Sequence, residues 1–119
     1  MTMKREEKIN HILDCFSDYI GKSEIRIYEY ASKENRDRHR VSEFKDIIVS
    51  EYRRYFGNNV EVYVFKTFYV LIGKVSSKDL RIVGKRICHY YRTGQLCKTY
   101  GNSTQLFHCI KTVHANDKR

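Results

Sequence analysis

Apolar residues recur at helical spacing near the start of the chain. Ile9, Ile12, Leu13, Phe16, Tyr19 and Ile20 form one stripe, which predicts a helix over about residues 4–20 with Gly21 as its stop. The period then changes. From Glu24 to Tyr30 the residues alternate and are rich in β-branched and aromatic types, so a strand with Ile25 and Ile27 facing inward is expected. The polar stretch from Ser32 to Arg40 reads as a loop. Helical spacing resumes with Val41, Phe44, Ile47, Ile48, Tyr52, Tyr55 and Phe56, and ends at Gly57-Asn58-Asn59.

Val60, Val62 and Val64 alternate with Glu61, Tyr63 and Phe65, the pattern of a half-buried strand. After a break at Lys66 and Thr67, the run from Phe68 to Ile72 is its expected hairpin partner, ended by Gly73 and Lys74. Ser76 stands three residues before Asp79 and is placed to cap a helix along which Leu80, Val83, Ile87 and Tyr91 make the buried stripe, until Gly94. A last strand-like segment runs from Thr104 to Val113.

After the leading helix the order is therefore strand, helix, strand, strand, helix, strand. This is the α+β class, and specifically the split βαβ (βαββαβ) arrangement of a ferredoxin-like sandwich with an additional N-terminal helix. One domain is expected over residues 1–113, with the N-terminal helix in 1–22, the core in 24–113 and a tail at 114–119. Two helices would cover one sheet face. The other would carry Tyr28, Tyr30, Tyr63 and Phe65, available for base stacking or for a protein interface unless the first helix folds over them. The basic–Gly–aromatic–Gly–aromatic consensus of RNA-recognition motifs does not occur.

Composition narrows the partner. At 119 residues the chain has room for one domain, and 41% hydrophobic residues supply a core; with no proline and six glycines it contains no linker. A net charge of +9 is the electrostatic footprint of a phosphate-backbone binder. That charge is concentrated. Lys78, Arg81, Lys85, Arg86, Arg92 and Lys98 are opposed only by Asp79, and Lys78, Arg81 and Lys85 follow at spacings that put them on one helix stripe, where they would hold phosphates or stand as a solvated face. The stretch after the first strand adds Arg36, Arg38 and Arg40, diluted by Glu34 and Asp37.

Other chemistry finds less support. No apolar run is long enough to span a membrane, and the first segment, amphipathic rather than continuously apolar, is not expected to act as a signal peptide. The cysteines Cys15, Cys88, Cys97 and Cys109 lack close pairing and read as reduced thiols, so an intracellular protein is expected, nuclear in a eukaryote and cytoplasmic otherwise. His11 with Cys15, Cys88 with His89 and His108 with Cys109 are zinc-type residues but lack the spacing of a zinc site, and no metal or other cofactor is expected. Glu24, Glu29, Glu43 and Glu61 would make a metal-dependent nuclease only if the fold gathered them. Nucleophile, dinucleotide and P-loop signatures are missing, so no catalytic residue is assigned.

From Glu24 onward the chain resembles the small ferredoxin-like protein subunits of ribonuclease P and its relative MRP, of the Pop-five and Rpp-fourteen kind. The likeness lies in the segment Val41 to Ser50 leading to Tyr55-Phe56-Gly57, in the strand Val70 to Ile72 running through Ser76 into a helix, and in Tyr100 to Leu106 before the last strand. The long N-terminal helix and the short hairpin at Thr67 depart from the family pattern. The resemblance implies a noncatalytic subunit of a ribonucleoprotein in tRNA 5′ processing. Such a subunit binds structured RNA, with Gly101, Ser103 and Thr104 in a backbone-contacting turn, and pairs with a protein partner or a second copy. The alternatives are a DNA-binding or nuclease-like protein of a virus or mobile element, and a protein-interaction module without nucleic acid.

Overall fold

A computed structural model describes residues 4–93 and 106–117. Its elements are α1 (Arg5–Cys15), β1 (Ile25–Tyr30), α2 (Lys33–Arg38), α3 (Lys45–Phe56), β2 (Glu61–Val64), β3 (Tyr69–Ile72), α4 (Ser77–Thr93) and β4 (Phe107–Val113), with single 3-10 turns at Ser17–Tyr19, Val41–Phe44 and Gly57–Asn59. The strands form one four-stranded sheet in the order β2-β3-β1-β4, every neighbouring pair antiparallel. The fold is α+β.

Side-chain alternation sends the two strand faces into two different cores. Tyr30, Tyr69, Leu71 and Phe107 join Ile48 and Tyr52 of α3 and Val83 and Ile87 of α4. On the opposite face Ile25, Ile27, Val70, Ile72 and Val113 meet Ile9, Ile12, Leu13 and Phe16. The sheet is thus roofed on both sides, by α3 and α4 on one and by α1 on the other.

That arrangement corrects the expectation that four aromatics share an open face. Tyr28 and Tyr30 point into the α3–α4 core, where Tyr28 lies flat on Tyr69 with ring centroids 4.8 Å apart, and Tyr30, 4% exposed, stacks on Phe107. Tyr63 and Phe65 lie under α1, their rings 5.3 and 6.2 Å from that of Phe16. Only Phe65 stays substantially exposed. Ile25 and Ile27 do face inward, but toward α1, because the N-terminal stripe needs an apolar surface and the sheet's second face is the one available.

Two element boundaries also differ. The first helix is α-helical only to Cys15 and tightens into the 3-10 turn before Gly21, whose φ of +83° reverses the chain. The segment expected as a loop from Ser32 to Arg40 contains α2. This short polar helix has Glu34 in its first turn, Arg36 and Arg38 in its last, and a Glu34–Arg38 ion pair at 3.1 Å across one turn, so both the dipole and the pairing favour it. The tail residues His114 to Asp117 close into a turn through Asp117 N–H donating to His114 O at 2.9 Å.

β4 carries a bulge opposite Ile27 and Tyr28, where the pairing steps from Lys111 to Cys109. The extra residue, Ile110, packs on the α1 side. Cys109 and Thr112 consequently stay opposite Tyr28 and Arg26, on the α4 side of the sheet.

Candidate nucleic-acid interface

α4 begins as the sequence suggests, with Asp79 N–H donating to Ser76 Oγ at 3.2 Å. Its apolar stripe, Val83 and Ile87, is buried. The opposite stripe presents Lys78, Arg81 and Lys85, all exposed. Among the described residues, no carboxylate lies within ion-pair distance of any of the three. Asp79, the one acid of this helix, accepts a hydrogen bond from the Tyr55 hydroxyl at 3.1 Å.

Arg86 does not belong with that row. Its Nε donates to Glu51 Oε2 at 2.7 Å, and the Glu51 side chain is 5% exposed on α3. This pairing holds the guanidinium more firmly protonated than usual, and commits it to fastening α4 onto α3.

The second basic element is partly neutralised and lies elsewhere. Arg38 pairs with Glu34, and Arg36 stands 3.9 Å from Asp37; Arg40 is exposed. α2 follows the end of β1, whereas the first turns of α4 follow the end of β3, and the antiparallel register sets Ile72 beside Ile25, the start of β1. The two basic elements therefore sit at opposite ends of the sheet. The Arg92 side chain, Lys98, Gly101, Ser103 and Thr104 lie outside the described residues.

The acids named as a conceivable metal-binding set are separated and engaged. Glu24 pairs with Arg26 at 2.8 Å, Glu29 with Arg5 at 3.0 Å, Glu61 accepts from the Tyr63 hydroxyl at 2.7 Å, and the Glu43 carboxylate lies 3.5 Å from the His39 ring. Among the described residues no three His, Cys, Asp or Glu side chains come together to hold a metal ion, and Cys15, Cys88 and Cys109 form no disulfide. No described helix is long and apolar enough to cross a membrane.

Behind the cation row a cavity of about 410 Å³ opens between α4 and the sheet, lined on the helix side by Ser77, Leu80, Arg81 and Gly84 and on the sheet side by Arg26, Tyr28, Cys109 and Thr112. Its floor includes Tyr52 and Tyr69, whose hydroxyls are 2.9 Å apart. Arg26 is nearly buried; besides Glu24 it reaches the carbonyls of Gly73 and Val75, each at 3.5 Å. Burial pushes the Tyr28 phenol well above the usual tyrosine range, an effect that Tyr52 and Cys109 reinforce and Arg26 opposes.

Sequence periodicity did not reveal this cavity. Two residues carry a trace of it: Arg26, a cation between two inward-facing isoleucines, and Gly84, a glycine inside a strong helical pattern. Compared with known proteins, the chain matches no family model, no curated protein and no solved structure.

Proposed function

We propose that this chain is a noncatalytic RNA-binding subunit of a ribonucleoprotein, built on a ferredoxin-like split βαβ core with an added N-terminal helix. For the fold, the support is the order β2-β3-β1-β4 with all neighbours antiparallel and both crossover helices, α3 and α4, on one face. For the function, one observation carries the reading. Lys78, Arg81 and Lys85 stand exposed on one stripe of α4 without carboxylate partners among the described residues, in a chain of net charge +9.

An unpaired cation row costs self-repulsion and gains little for stability, whereas several phosphates held along it release their counterions together. Structured RNA is the preferred ligand because its phosphate ridges present such a line of charge without base readout, and because the likeness to ribonuclease P subunits points the same way. That Glu24 and Glu29 are held by arginines, and that the four acids are not gathered among the described residues, favours binding over metal-dependent cleavage.

The test is binding of a structured RNA, single-stranded RNA and duplex DNA across a salt series, for the native chain and for a Lys78→Glu, Arg81→Glu, Lys85→Glu triple variant. Structured RNA is expected to bind tightest, with a steep salt slope that the triple variant loses while its circular dichroism is unchanged. Negligible affinity for every nucleic acid at low salt would sink the proposal, and cleavage on addition of divalent metal would replace it with a nuclease.

A further inference from the structure

The cation row and the cavity share one residue. Along α4, Ser77, Leu80, Arg81 and Gly84 line the cavity, whereas Lys78, Arg81 and Lys85 form the outer stripe, so Arg81 stands at the rim where both meet. Inward of it the lining changes character. Arg26 already has its counter-ion in Glu24, so the interior carries little uncompensated charge. The walls are aromatic and hydroxyl-bearing: Tyr28, Tyr52 and Tyr69 with Ser77 and Thr112. Among the described residues the Tyr28 hydroxyl has no hydrogen-bond partner.

A site with a free cation at its mouth, the ring of Tyr28 in its wall and the unspent Tyr28 hydroxyl inside fits a planar polar ring joined to an anion. About 410 Å³ falls within the range of small-ligand sites, and exceeds what an ordered water or two would need. Gly84 keeps the space open. A Cβ built there meets no described atom within 4 Å, although alanine would suit a helix interior better than glycine.

We propose that this cavity receives one unpaired nucleotide, its base against Tyr28 and its phosphate on Arg81. The inference rests on the reading of α4 as an RNA-contacting helix, which would deliver an extruded nucleotide to the rim. A free mononucleotide has the same chemistry, and the experiment separates the two sources.

Two RNA hairpins identical except for one bulged adenosine are titrated against the native chain, alongside adenosine 5′-monophosphate followed by amide and tyrosine NMR shifts. The bulged hairpin is expected to bind about tenfold tighter, in keeping with one stacked base. Gly84→Leu, which fills the cavity from the helix side, removes that advantage and leaves the affinity for the paired hairpin unchanged. Gly84→Ala is the milder second variant and diminishes the advantage with the fold intact. Equal affinity for the two hairpins, together with no saturable shift at Tyr28 or Gly84 from the mononucleotide, overturns the inference while leaving RNA binding along α4 standing. An advantage for the bulge that survives Gly84→Leu in a folded protein also overturns it. Saturable mononucleotide shifts without a bulge effect assign the site to a free nucleotide. If neither hairpin binds, the proposed function fails, and the mononucleotide titration decides the cavity alone.

Discussion

Tyr52 of α3 and Tyr69 of β3 join hydroxyls at 2.9 Å in the interior, so that helix and sheet are held by a directed bond within an apolar core. Tyr52→Phe removes that bond at a small change in volume. The expected cost is about 1–2 kcal/mol, seen as a fall of several degrees in Tm with an unaltered circular dichroism spectrum.

The same buried pair sets an alkaline limit. Burial pushes the Tyr52 phenol up to about 12, against roughly 10 for an exposed tyrosine. Below pH 10 the proton is held in both folded and unfolded chains, and the contribution is fully present. Between about pH 10 and 12 only the unfolded chain releases it, so stability falls as pH rises. Tm measured from pH 8 to 12 should decline above 10, and the decline should be shallower in Tyr52→Phe; parallel curves would remove Tyr52 as a cause.

The glycines of the two ends of this region should respond in opposite directions. Gly73 has φ +140°, and a Cβ there would run into the carbonyl oxygen of Asn59 and the backbone of Val60. Gly73→Ala should therefore destabilise by about 2–3 kcal/mol or more. Gly84→Ala, in open space on a helix, should be neutral or stabilising by up to about 1 kcal/mol. Denaturant midpoints of the two variants check both.

On α4, neighbouring cations should separate by role. Neutralising Lys78 or Lys85 to Gln is expected to lower the salt slope of RNA binding by about one each and leave Tm unchanged. Arg86→Gln breaks the bond to Glu51, so it should lower Tm while changing the salt slope less than either lysine variant. Equal slope changes for all three would mean that Arg86 contacts phosphate as well.

Leu13, 3% exposed, fastens α1 to the sheet. Leu13→Ala should cost about 2–5 kcal/mol and increase binding of a hydrophobic dye as the Ile25–Ile27 face becomes accessible. A folded protein with native dye binding would show that α1 contributes little to the cover.

The elements were legible because most of them carry a clean period. The stripe from Ile9 to Phe16, the alternation of β1 and the Ser76 cap each appear where spacing alone puts them. Which sheet face a strand residue adopts was not legible, since alternation separates Ile27 from Tyr28 without saying which side receives two helices. α2 escaped because it has no apolar period and stands on charge pairing instead. In the candidate site, the exposed row on α4 followed from composition and helical spacing. The pairing of Arg86 with Glu51 joins residues 35 positions apart, beyond any local pattern. The cavity likewise depends on how far α4 stands from β4, which no single segment encodes.

The double roof has a consequence for the order in which the chain can fold during synthesis. α1 emerges first, yet its docking surface is assembled from β1, β3 and Val113 at the end of β4. β1, second to emerge, has its lateral neighbours in β3 and β4, both made later. Neither α1 nor β1 can therefore complete its contacts until residue 113 has left the ribosome. The protein acquires its native cover in one late, long-range step, and until then its most apolar strand faces must be kept from other chains.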